Sequence, residues 1–142
     1  MDKLPKEYLA DLKEGYYKKV DGEDCLKPEF IVKYPKEIAK GLKDRNKNKL
    51  SQIWKFYEHA RRIQDTLQGN LEHKRMPFAK LKAELDMMQP IVESALNRSL
   101  VTPVFKDFID ENVSKVEEIE DLDAFIKHFQ ALIAYLPREN QK

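Results

Sequence analysis

Ten basic side chains fall within residues 33–62 of this 142-residue chain, against three acids, Glu37, Asp44 and Glu58. Lys33, Lys36, Lys40, Lys43 and Lys47 follow one another at steps of three or four, so any helix spanning them projects all five from one face. Gln52, Lys55, His59 and Arg62 cluster in the same way on the side of a helix opposite Leu50, Ile53, Tyr57 and Ala60. Between the two stretches, Asp44-Arg45-Asn46-Lys47-Asn48-Lys49 reads as a basic loop entering a helix N-terminus, where free N–H groups and the positive dipole end favour anions. Charges so arranged suit a nucleic-acid backbone, which Lys and Arg bind largely without regard to base sequence. The candidate contacts are Lys40, Lys43, Arg45, Lys47, Lys49, Gln52, Lys55, Arg61 and Arg62. Trp54 adds an aromatic ring that can stack on bases, as Phe56 can, although both also fit a core-packing role beside the apolar arc. The competing reading of the whole stretch is a solvated lysine face with no ligand.

Catalytic chemistry finds little footing. His59, His73 and His128 have no metal-ligand spacing, and His73 precedes Lys74-Arg75 in what reads as an exposed loop. Ser51, Ser94, Ser99 and Ser114 lack the flanking glycines of a nucleophile elbow. The four glycines stand at 15, 22, 41 and 69, too far apart for a phosphate-cradling loop, which needs two or three within about six residues. The expectation is a protein that is not an enzyme and takes no metal or cofactor.

Helices must position the basic side chains, because apolar residues recur at steps of three and four and no stretch alternates for long. The spacing predicts helices over about Pro5–Lys13, Pro35–Lys43 and Lys49–Gln68, the last closed by Gly69 as a left-handed cap. A further helix from Pro77 is expected to kink or divide at Pro90. Thr102-Pro103 opens the next, and Asp121 is the expected cap of the last, which ends at Pro137. Gly15 to Pro28 reads as loop. The expected fold is all-α, a compact bundle of about five to six helices forming one domain over residues 1–142. Residues 1–29 are expected to be weakly structured, and residues 138–142 a frayed tail.

Charge is unevenly distributed although Lys+Arg number 26 and Asp+Glu 25. The first 80 residues hold 19 basic and 13 acidic side chains, the remainder 7 and 12. Residues 107–123 carry eight acids and a single lysine, Lys115, which suggests a solvated cap or, more sharply, a docking surface for a basic patch on another protein. Cys25, alone, has no partner for an intramolecular disulfide, which favours a reducing cytoplasm. The uncharged run Phe129 to Pro137 is nine residues, against the ~18 that a membrane span requires. No apolar h-region follows Met1-Asp2-Lys3, so no signal peptide and no membrane partner are expected.

Asn48 to Tyr57 reads N-K-L-S-Q-I-W-K-F-Y, which resembles the L-T-T-S-Q-I-R-K-F signature of the small helical subunit of the Csm complex, the type III-A CRISPR effector of antiviral defense. Ser51, Gln52, Ile53, Lys55 and Phe56 match. Phe125 to Tyr135 is similar to that family's closing helix, with Gln130 in place of an acid, and the resemblance covers about residues 30–68 and 78–136. Asn48, Lys49 and Leu50 replace the leading L-T-T, and Trp54 stands where the family has an RNA-facing arginine, so stacking by Trp54, or charge from Lys49 and Arg61, would substitute. The resemblance implies a non-catalytic subunit that binds guide RNA and target RNA. It implies stacking with further copies beside the repeat-containing backbone subunits and the large signature subunit. Two alternatives stand beside it: a helical adaptor or dimerisation module without nucleic-acid binding, and a DNA-binding helix-turn-helix, which lacks the tight glycine turn.

Overall fold

A computed structural model describes residues 2–73 and 77–142, leaving aside the side chains of 70–73. The described residues form seven α-helices, α1 (Lys6–Glu14), α2 (Lys33–Gly41), α3 (Leu50–His73), α4 (Phe78–Asp86), α5 (Met88–Asn97), α6 (Pro103–Lys115) and α7 (Ile119–Ala134). One hairpin, β1 (Tyr17–Val20) and β2 (Glu23–Leu26), follows α1. The fold is mostly helical, as the spacing predicts.

α3 is the axis of the structure. Its buried positions Ile53, Phe56, Tyr57, Ala60, Ile63 and Leu67 form one stripe, which α7 covers with Leu122, Phe125, Ile126, Phe129 and Leu132. Aromatic rings occupy the centre: Phe129 meets Tyr57 edge-on at 5.6 Å and Phe108 edge-on at 5.3 Å, and Phe56 meets Phe105 at 5.4 Å. Edge-to-face contacts of this kind add about 0.5–1.5 kcal/mol each beyond the area they bury. At 24 residues α3 runs past Gly69, which is therefore an interior residue and not the expected cap, and it spans about 36 Å at 1.5 Å per residue. Lys74 and Arg75 lie outside the described residues.

The stripe beginning at Pro77 divides as expected, into α4 and α5, with Met87 between them. Pro90 has no N–H to give the carbonyl of Asp86, and its ring would crowd that carbonyl in a continuous helix. Pro103 does open α6, but the hydroxyl of Thr102 makes no cap bond, because it accepts from Asn48 instead. Glu118, not Asp121, precedes the first turn of α7; the Asp121 carboxylate sits three residues in and reaches back to the N–H groups of Glu117 (3.1 Å) and Glu118 (3.2 Å).

Two segments differ from the sequence reading. Between Gly15 and Pro28 the chain pairs Tyr17 with Leu26 through Val20 with Glu23, and the turn residues Asp21 (φ 51°) and Gly22 (φ 83°) both take positive φ. Such a two-residue turn matches the twist of the strands it joins. Tyr17 anchors the hairpin by donating its hydroxyl to the Glu120 carbonyl at 2.6 Å. Residues 1–29 thus carry a helix and a hairpin, with Tyr8, Leu12 and Tyr16 buried. The tail, expected to fray, closes in a 3-10 helix at Arg138–Gln141 and buries Asn140.

Behind α1 lies a polar network without access to solvent. His128 donates Nδ1–H to the Phe30 carbonyl (2.6 Å), and its Nε2 faces the Tyr8 hydroxyl at 2.8 Å. Asn112 donates to the Tyr8 oxygen (2.8 Å) and the Phe108 carbonyl (2.8 Å), and its Oδ1 accepts from Tyr16 (2.7 Å). Burial lowers the His128 pKa to about 4, so the imidazole is neutral, and with Nδ1–H donating to Phe30 its Nε2 accepts from the Tyr8 hydroxyl.

Candidate nucleic-acid interface

The basic side chains start on α2. Lys36 and Lys40 are exposed, while Lys33 is held by Glu7 at 2.9 Å, an ion pair that raises the lysine's pKa. The helix ends at Gly41, so the five-lysine stripe does not run on one helical face; Lys43 and Lys47 stand in the loop that follows.

That loop is built rather than slack. Asp44 Oδ1 accepts the N–H groups of Asn46 (2.7 Å) and Lys47 (2.8 Å), which holds its carboxyl below the usual carboxylate range and folds the turn. Asn48 adopts φ 55°, a left-handed conformation that asparagine tolerates better than most residues, and is completely buried. Its N–H reaches the Leu100 carbonyl at 3.0 Å, its amide nitrogen the Leu42 carbonyl at 3.1 Å, and its own carbonyl accepts from Asn140 at 3.1 Å. The loop is thus tied to the α5–α6 connection and to the tail.

Around this anchor the ten sequence candidates divide. Lys40 and Arg45 are exposed, Lys47 is half-buried, and none of the three makes a side-chain hydrogen bond or ion pair with a described residue. Lys43 lies 3.8 Å from Glu139, and Lys49 donates to the Lys142 carbonyl at 2.5 Å, so the tail holds both. On α3, Lys55 and Arg62 are exposed toward α4 and α5, with half-buried Gln52 beside Lys55. Arg61 falls on the other flank, bound to Gln64 and 4.0 Å from Asp65. Trp54 is 43% exposed and donates Nε1–H to Glu58 at 2.5 Å, its ring tilted against Tyr57 at 5.1 Å; Phe56 is core.

Two basic residues that spacing did not single out complete the α4–α5 flank. Arg98 lines a cleft of ≈ 220 Å³ with Gln52 and Lys55, and Lys80 lines one of ≈ 510 Å³ with His59 and Arg62. Arg98 stands alone in its stretch of sequence, and nothing local to it signals that the end of α5 faces the first turns of α3 across a cleft. His59 is bound to the Glu84 carbonyl at 2.8 Å. Among the described residues no three His, Cys, Asp or Glu side chains come close enough to hold a metal ion.

The acids of residues 107–123 are not equivalent. Asp110 is tied to Lys106, which also lies 3.3 Å from Glu93, whereas Glu111, Glu117, Glu118 and Glu120 are exposed. No helix among the described residues is long and apolar enough to cross a membrane.

A mostly helical bundle with cationic side chains gathered on a braced loop and the adjoining helix is the class of protein these features define. A family model described as Csm2 Type III-A matches residues 26–141. The chain belongs to that family, the small subunit of the type III-A CRISPR Csm complex. No curated protein and no solved structure matches it.

Proposed function

We propose that this subunit binds the backbone of the guide RNA–target RNA duplex, independently of base sequence, through the loop of residues 42–49 and the outer side of α3. It acts as a non-catalytic component of the cytoplasmic complex. The observation that carries the reading is the bracing of Asn48: a buried residue fixes a loop whose neighbours Lys40, Arg45 and Lys47 engage no described residue. Rigid placement of unpaired cations lets several phosphates be neutralised together, with little ordering left to be done on binding. Lys43, Lys49, Gln52, Trp54, Lys55, Arg61 and Arg62 extend the surface, and Arg98 and Lys80 belong beside Lys55 and Arg62. The exposed Glu111, Glu117 and Glu118 supply the acidic surface on which another copy or a neighbouring subunit docks.

Retention of single-stranded and duplex RNA at two salt concentrations tests the reading. Binding should fall steeply with salt and be indifferent to sequence. Replacing Lys40, Lys47, Lys49 and Lys55 together by Glu should abolish it, and RNA affinity retained in that variant would refute the assignment.

A further inference from the structure

Trp54 is one wall of a cleft of ≈ 610 Å³ whose other lining residues are Lys49, Leu50, Ser51, Asn140, Gln141 and Lys142. We infer that this cleft receives one unstacked nucleobase, a reading that rests on the RNA-backbone proposal above and adds a base contact to it. Its volume lies within the ~300–1,000 Å³ of small-molecule sites. The indole's single N–H donor is committed to Glu58 and its ring is tilted against Tyr57 at 5.1 Å, so what it has left to offer a ligand is apolar ring surface. Trp54 is 43% exposed between Lys49 and Lys55 in sequence, and a flat heteroaromatic ring is the chemistry that matches an exposed indole beside cations. Leu50 supplies apolar surface to the lining, and Lys49, whose amine also donates to the Lys142 carbonyl, supplies a cation for the phosphate attached to such a base. Asn140, also in the lining, keeps an Oδ1 that accepts no hydrogen bond among the described residues.

Nucleobases come from a strand or from a free nucleotide, and the experiment separates the two. Trp54 is the chain's one tryptophan, so its emission reports the cleft directly. The full chain is titrated with a six-nucleotide uridine RNA, with an abasic ribose-phosphate strand of equal length, and with UMP. The RNA should quench Trp54 and bind about tenfold more tightly than the abasic strand, which should bind with the same salt dependence and no quenching. UMP should quench only at far higher concentration. In retention assays Trp54→Ala should bind the two strands equally. Equal affinity of the two strands for the unaltered chain, or a preference that survives in Trp54→Ala, overturns the base site and leaves the backbone reading intact. Quenching by UMP at the hexamer's concentration overturns the assignment to a strand, and failure of both strands to bind removes the backbone reading and this one with it.

Discussion

Asn48 and Thr102, 54 positions apart, hold each other through a reciprocal pair of hydrogen bonds: the Asn48 amide donates to the Thr102 hydroxyl at 2.9 Å, and the Thr102 N–H donates to Asn48 Oδ1 at 2.9 Å. The pair joins the basic loop to the first turn of α6. Asn48→Ala removes it, leaves the Thr102 N–H without its acceptor and the Leu42 carbonyl with the Asn140 donor alone, and puts a Cβ-bearing residue without a local hydrogen bond at φ 55°. The expected loss is about 3 kcal/mol in urea unfolding, from unsatisfied buried groups and left-handed strain. Asn48→Gly should recover the strain portion while the hydrogen-bond loss persists.

Stability should fall in acid because of His128. The folded protein keeps it neutral with a pKa of about 4, whereas an unfolded chain protonates it near the ordinary 6.5. Its contribution is complete above about pH 6.5, declines as pH drops toward 4 while the unfolded state alone binds the proton, and changes no further below that. The swing is on the order of 3 kcal/mol. Unfolding free energies between pH 7 and pH 4 check it, and His128→Gln should flatten the profile in that window even though it lowers the plateau.

Gly22→Ala should cost about 1 kcal/mol, since φ 83° is open to glycine and strained for alanine although no atom would meet the added Cβ. A thermal melt reads the loss. Replacing Lys19 in the neighbouring exposed pair with Asp24 should move the melt far less, as surface ion pairs contribute little.

Assembly offers a separate test. Charge reversal of Glu111 and Glu117 to lysine should disrupt stacking of the subunit with its neighbours without unfolding it, as sedimentation of the reconstituted complex would register. Asp110 is best left unchanged, because its carboxylate anchors Lys106 within the subunit. Assembly that proceeds unaltered would remove the acidic docking surface.

Long stripes were the readable part of this chain. Ile53 to Leu67 on α3 and Leu122 to Leu132 on α7 repeat at helical steps over enough turns that no other element fits them. The hairpin escaped because Lys18, Lys19, Glu23 and Asp24 are exposed and leave no apolar alternation. Asp21-Gly22 was its one visible signal. At the site, the individual lysines were identifiable but not their grouping, which depends on α2 ending at Gly41 and on partners far along the chain, Glu139 for Lys43 and Arg98 for Lys55. Asn140 gave no warning in a polar stretch, since what buries it are the carbonyls of Leu42 and Asn48.

The family match begins at residue 26, after the hairpin's last strand has nearly finished, yet Tyr8 and Tyr16 from the preceding segment pack on Phe30 and complete the bonding of His128 and Asn112. Homology and cooperativity therefore draw different borders on this chain. A fragment trimmed to the matched region would carry every basic residue of the proposed surface and still bare an aromatic flank with a half-paired histidine, so shortened versions used for binding work should be expected to associate through that wound rather than through any natural contact.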